Sequence, residues 1–301
     1  MPIKEQDFEI PEFYTFSRNG QTTVSFEGQT TRIDMAEELV ASMLDFDKTE
    51  EHILNMFSNE NEAFSSEQLN VSSKSIQSKI AASSDFFSSN TAASAIIRKQ
   101  FRTWIIQQAS ETFPEALSLA MKGKSGQIAD GDEVRYVNSK GLEYNQAFAK
   151  GLIGALMVDQ ILNNYLSTAV LDQGNNQLTN DNQVLVDGTN YTTMEHKWDE
   201  AYGYIFGKSQ NPSNPLISLG DDSFLNKYLS KVNQDPDFGT IAIDIFESFK
   251  KGRAAIVAGN YKERNRQAEL LKENISIIVG ARSVYYLQQG KIELIKGDMG
   301  S

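Results

Sequence analysis

The sequence predicts an all-α protein, best read as two packed helical bundles with a small irregular or hairpin insertion. Three observations lead there. Long segments carry apolar residues at helical spacing, above all Thr91 to Phe113 and Gly141 to Leu171. Helix-start signals recur, as in Thr31-x-x-Asp34 and Asp34-x-x-Glu37. Strands and helices do not alternate in the βαβ manner, and no Walker glycine loop, dinucleotide fingerprint or Gly-x-Ser-x-Gly elbow is present.

Taken in order, residues 1–30 read as irregular, with Pro2, Pro11 and a short alternating run from Thr22 to Phe26. A first helical lobe follows over 31–121. Leu39, Met43, Leu44 and Phe46 supply an apolar face, Glu50 to Phe57 a second helix, and Ser65 or Ser66 to Ile80 a third. The Ser-rich stretch from Ser72 to Ser94 reads as short helices joined by loops, with Ile76, Ile80, Phe86 and Phe87 as anchors. In Thr91 to Phe113 the residues Ala95, Ile96, Phe101, Trp104, Ile105 and Ala109 share one side. Residues 122–140 are rich in Gly, Asp and Ser, hold a small strand at Val134 to Val137, and form the expected connection between lobes.

The second lobe, 141–301, opens with the longest helix signal, Gly141 to Leu171, apolar nearly all round in its middle and therefore central and buried. Gly151 and Gly154 there allow close helix packing. Residues 172–190 read as an Asn- and Asp-rich loop, and a helix runs from about Thr192 to Phe206. Asp235-Pro236-Asp237 opens another through Ala258, and Asn260-Tyr261-Lys262 a last one to about Ile295.

Composition narrows the function classes. The 301 residues are 40% apolar, enough for a sizeable core. A net charge of -12 argues against nucleic acid and against docking on an anionic membrane, since both call for clustered Lys and Arg. A lipid tether is insensitive to that charge. With no cysteine there is no disulfide, thiolate nucleophile or Cys-based metal site. The start, Met1 to Phe16, shows no signal-peptide pattern, and no apolar run approaches the ~20 residues of a membrane span.

The chemically distinctive segment is Glu195-His196-Lys197-Trp198-Asp199-Glu200. His196 stands three residues from Asp199 and four from Glu200, so all three can project from one helix face. Imidazole and carboxylate at that spacing can present metal ligands, or a carboxylate can orient an imidazole for proton transfer. They can equally form an interior hydrogen-bonded pair or a solvated face. The aromatics Trp198, Tyr202, Tyr204 and Phe206 favour a location against packed surface. Glu143, Gln146 and Lys150 recur at helical spacing on the long helix, with Asp159 and Gln160 further along, and are natural partners for the motif helix unless they emerge into solvent. Arg253, in Lys250-Lys251-Gly252-Arg253, is either a surface charge near a helix end or a bidentate partner for one of these carboxylates. His52 reads as structural or exposed, and Asp130-Gly131-Asp132-Glu133 lacks the spacing of a calcium hand.

In these segments the chain resembles a bacterial domain-of-unknown-function family, the one numbered 4856, found in envelope lipoproteins and related to imelysin-like proteins. The resemblance rests on Phe26 to Met35, Gly141 to Tyr144, Lys150 to Ala155, Met194 to Tyr204 and Lys251 to Ile256, in family order. It implies a helical-bundle fold, an exported lipoprotein precursor with a lipid anchor, a periplasmic or envelope location, and iron as the favoured ion. The imelysin Gly-x-His-x-x-Glu signature resembles a metal site; here Asp199 stands three residues after His196 where the signature has Glu. The family pattern also implies a further helix with a His and a Glu beyond Ser301.

The leading expectation is an envelope binding protein that holds a divalent cation, iron favoured, at His196, Asp199 and Glu200. Glu143, Gln146, Lys150, Glu195 and Arg253 would orient those ligands. An envelope protein is the other partner considered. The alternative is a structural or protein-interaction helical module without metal, whose polar motif only fixes helix register. An enzyme ranks third, because no nucleophile, base and oxyanion group assemble from the sequence.

Overall fold

The computed structural model describes residues 8–296, so the C-terminal residues 297–301 and the first seven, with the readings made on them, lie outside the described residues. The fold is mainly helical, as the periodicity predicts, with eleven α-helices and two small antiparallel hairpins among the described residues. In order these are β1 (Ser17–Arg18), β2 (Gln21–Thr22), α1 (Glu27–Ser42), α2 (Glu50–Ser58), α3 (Glu67–Asn70) and α4 (Thr91–Gln107). Then come β3 (Gly126–Asp130), β4 (Glu133–Val137), α5 (Tyr144–Leu152), α6 (Thr168–Leu171) and α7 (Asn176–Asp181). The last four are α8 (Thr193–Phe206), α9 (Leu225–Asn233), α10 (Ile241–Val257) and α11 (Tyr261–Lys296). Among the described residues no helix is long and apolar enough to cross a membrane.

The chain divides into two compact units, each assembled from separated segments. Unit 1 comprises residues up to Thr30, Ser83–Ser89 and Met157–Val279; unit 2 comprises Thr31–Ala82, Asn90–Leu156 and the chain from Gly280. The hairpin region 122–140 lies inside unit 2, and its strands pair from Gly126↔Val137 to Asp130↔Glu133.

Unit 2 is built on an aromatic core. Phe148 of α5 packs edge-on against Phe57 of α2 and Phe101 of α4, at ring separations of 5.7 and 5.1 Å. Gly151 makes this possible: a Cβ there would meet Phe101 at 2.8 Å. Gly154 has no such role, since its Cβ would meet nothing within 4 Å. On α4 the buried residue of the first turns is Ser94, whose hydroxyl donates to the Ala81 carbonyl, while Ile96 is 70% exposed. Hydrogen bonding, invisible to an apolar pattern, decides which side turns inward.

The long signal from Gly141 to Leu171 is not one regular helix. After α5 the chain widens into π-helical turns at Ile153–Val158 and Ile161–Tyr165 before α6. Its middle is buried as expected, and the polar Asp159 and Gln160 are satisfied inside: Asp159 accepts from the Ser83 amide and hydroxyl. In the Ser-rich stretch Ile76 and Ile80 are fully buried, whereas Phe86 is half exposed. The segment 172–190 is not all loop, because α7 lies in it. Helix α1 starts at Glu27, four residues before the first capping signal read from the sequence.

Unit 1 centres on α8 packed against α10. Trp198, Tyr202, Tyr204 and Phe206 are all fully buried, with Phe249 and Ile245 of α10. The Trp198 indole donates to the Phe249 carbonyl at 3.0 Å, which fixes the register of the two helices.

Candidate functional site

Helix α8 begins with a capping box. The Thr192 hydroxyl accepts from the Glu195 amide, and the Glu195 carboxylate accepts from the Thr192 amide at 2.8 Å. This places Glu195 facing inward, and Asp199, one turn later, faces the same way.

Both carboxylates meet Arg253 of α10. Its Nε donates to Asp199 at 3.0 Å, its Nη1 to Glu195 at 3.1 Å, and its Nη2 to the Thr23 hydroxyl at 2.9 Å. The N-terminal segment completes the cluster. Arg18 donates to Glu195 from both terminal nitrogens, the Tyr14 hydroxyl donates to Asp199 at 2.7 Å, and the Ser25 amide donates to the other Asp199 oxygen at 3.2 Å. Arg253 and Asp199 have no exposed side-chain surface, and Glu195 only 1%. Two guanidinium groups therefore balance two carboxylates in the core of unit 1.

The electrostatics follow from burial and pairing. Burial pushes Asp199 up to about 6, against the opposing pull of Arg253 and the Tyr14 and Ser25 hydrogen bonds. Burial acts upward on Glu195 as well, but Arg253, Arg18 and the Thr192 amide outweigh it and hold Glu195 below its usual range. The Tyr14 hydroxyl is raised by burial and by the facing Asp199, so it stays a donor. Burial works against the Arg253 charge, yet Asp199 and Glu195 hold its pKa above the ordinary value.

The sequence-predicted trio does not converge. The His196 Nδ1 faces the Ser25 carbonyl at 3.1 Å, and its ring stacks on Tyr191 at 4.4 Å. Glu200 accepts from Lys197 at 2.9 Å and Gln29 at 3.1 Å, and lies 4.0 Å from His196 Nε2. Asp199 points away from both, into Arg253. A shared ion would need Asp199 to leave a buried arginine, and among the described residues no group of three His, Cys, Asp or Glu could hold a metal. The trio does not fit the cation the resemblance implies.

Of the residues expected around it, Glu195 and Arg253 join the cluster directly. Glu143 does not: Arg135 of β4 donates to it at 3.2 Å within unit 2, so its charge is neutralised there. Gln146 and Lys150 bond to each other, Lys150 Nζ donating at 2.6 Å, on the surface of the same unit. The residues that sequence reasoning missed are Tyr14, Arg18, Thr23 and Ser25. Thr192 with Glu195 carried a readable capping-box signal; the four N-terminal residues carried none, lying some 170 to 240 positions from their partners.

Beside the cluster, unit 1 opens a groove of about 730 Å³, with Tyr14, Phe16, Val24, Ser25, Phe26 and Pro212 among its lining. Its walls are the segments held by the motif helix. Tyr14 and Ser25 bind Asp199, Tyr14 stacks on Tyr202 at 3.7 Å, and Arg253 lies over the Phe16 ring. Gly203 of α8 lets this segment approach, because a Cβ there would fall 2.4 Å from the Phe26 Cβ.

A pH dependence follows from these shifts. Asp199 has a folded pKa above its ordinary 3.8, so its contribution to stability is full below about 4 and is lost as pH rises through about 6. Glu195, Glu200 and Asp172 are shifted down, so theirs are full above the ordinary carboxylate values and are lost as pH falls through the lowered ones. The melting temperature should therefore rise from pH 7.5 to about 5 and fall in stronger acid. Asp199→Asn should flatten the upper limb, and subtracting the two profiles removes His52, whose lowered pKa acts oppositely in that window. Parallel calorimetric profiles for wild type and variant would contradict this.

The family model described as Domain of unknown function (DUF4856) matches residues 11–301. No curated protein and no solved structure matches the chain.

Proposed function

This chain belongs to the DUF4856 family, and we propose that it is a binding protein whose groove in unit 1 takes an uncharged oligosaccharide. The observation that carries the reading is the attachment of the groove walls to the buried cluster. Tyr14 and Ser25, both lining residues, are fixed by the same Asp199 that Arg253 holds. The motif helix is then an internal scaffold, and the ligand meets the surface it supports.

The lining chemistry indicates the ligand class. Phe16 and Phe26 offer rings, while Thr15, Ser17, Thr22, Ser25, Thr30 and Ser213 offer hydroxyls. Glu27 is the one charged residue among them. Rings pack on the C–H faces of sugars and hydroxyls pair with theirs, whereas an anionic ligand finds no counter-charge to repay its desolvation and a cationic one finds only the single carboxylate of Glu27.

Calorimetric titration with neutral oligosaccharides of increasing length tests this. Binding should be seen, should weaken about tenfold in Phe16→Ala, and should disappear when Val24→Arg puts a charge in the groove. Titrations without heat would overturn the reading. So would a metal retained by the purified wild type and lost in His196→Ala, which would return the function to the trio.

A further inference from the structure

The β1–β2 hairpin contributes one wall of the groove in unit 1, and we infer that Asn190 is the positioning residue that holds this wall ready for ligand. The role rests on the groove being the oligosaccharide site. Ser17 and Thr22, which stand opposite each other in the hairpin, both line the groove. The turn at the hairpin tip is Asn19-Gly20, with φ of 53° and 77°, the left-handed pair that a two-residue type I′ turn requires. With two residues in each strand, such a ribbon has too few contacts of its own to stay in one place.

Asn190 supplies the fixture. Its side-chain amide donates to the carbonyls of Arg18 at 3.1 Å, Gln21 at 3.0 Å and Thr22 at 3.4 Å, so it touches both strands. Its backbone carbonyl accepts from Arg18 Nη1 at 2.6 Å. Among the described residues no other side chain bonds to the backbone from Arg18 to Thr22. Arg18 reaches Glu195, and Thr23, beside β2, accepts from Arg253, but neither of these bonds spans the two strands. The segment bearing Asn190 is itself fixed: the Val186 amide donates to the Tyr191 carbonyl, and Thr192 caps α8 and donates to Asn180. Asn190 is not among the described residues lining the groove, so it acts on ligand through Ser17 and Thr22.

An unfastened wall costs affinity by lowering the fraction of molecules ready to bind, which slows association and leaves dissociation unchanged. Loss of a direct contact does the opposite, since it speeds release. Asn190→Asp keeps the shape but replaces the donating amide by a carboxylate, and Asn190→Ala removes it. With whichever of cellohexaose and maltohexaose the wild type binds, each variant should bind about fivefold more weakly, the worth of one or two hydrogen bonds. In stopped-flow measurements the whole loss should fall on the association rate. Without ligand, the Arg18 and Gln21 amides, paired across the hairpin, should exchange with deuterium about fivefold faster. The melting temperature should stay within about 2 °C of the wild type. Asn182→Ala, whose amide bonds to the Leu178 carbonyl in its own segment, should change neither binding nor exchange. A wild type that binds neither sugar overturns the groove reading and this role with it. A wild type that binds, with variants whose affinity or exchange is unchanged or whose loss lies in dissociation, overturns the role of Asn190 alone.

Discussion

Arg253→Met should lower the melting temperature by roughly 10 °C at pH 7.5. Removing one partner of a buried ion pair costs about 3–5 kcal/mol, because the remaining charge keeps its desolvation penalty and loses its compensation. Two carboxylates are affected here. Glu195 keeps Arg18 and the Thr192 amide, so part of its compensation survives. Asp199 keeps only neutral donors, Tyr14 and Ser25, and must either ionise at a cost or take a proton. At about 2–4 °C per kcal/mol for a unit of this size, the cost converts to the stated shift. A triple variant with Glu195→Gln, Asp199→Asn and Arg253→Met should recover much of the loss, since no uncompensated charge is left inside. If Arg253→Met melts within about 2 °C of the wild type, the cluster does not hold unit 1 together. The same variant should weaken oligosaccharide binding, because Phe16, Tyr14 and Ser25 lose their common support.

The part of this arrangement legible in the sequence is the part governed by local rules. Helix α8 announces itself through Thr192 and Glu195, and its burial through Trp198, Tyr202 and Phe206, because capping and periodicity act within a few residues. Arg253 was readable as one of two alternatives, an arginine near a helix end or a carboxylate partner. The spacing of His196, Asp199 and Glu200 suggested a shared face, but three and four residues of offset span more than one stripe of a helix. The inward stripe is Glu195, Asp199 and Tyr202, which leaves His196 and Glu200 on the flank. What selects that stripe is the long-range approach of Tyr14, Arg18, Thr23 and Ser25, and nothing local in residues 1–30 marks them. The π-helical turns after α5 were hidden for a related reason. A widened turn keeps the apolar composition of Ile153–Val158 and changes only its phase.

Gly252→Ala should be as damaging as the loss of Arg253, for a reason that is steric rather than electrostatic. In an exposed helix the exchange stabilises by about 1 kcal/mol, since alanine restricts the unfolded chain. At position 252 the added Cβ would fall 1.9 Å from Cζ2 of Trp198, on an indole with no exposed surface. The indole cannot swing aside without giving up its hydrogen bond to the Phe249 carbonyl and its edge contact with the Phe249 ring. The two helices must separate instead. Overpacking of this kind costs about 1–3 kcal/mol before any secondary loss. The secondary loss is specific, because Arg253 is the next residue, and moving α10 away from α8 stretches its bonds to Glu195 and Asp199. Gly280→Ala in α11 supplies the control, since its Cβ would meet nothing within 4 Å, and that variant should gain the ordinary ~1 kcal/mol. Calorimetry on the pair separates the two accounts. Opposite signs mean that Gly252 is required by the contact between α8 and α10, whereas a gain in both would show that Trp198 yields and that the register of the two helices is set elsewhere.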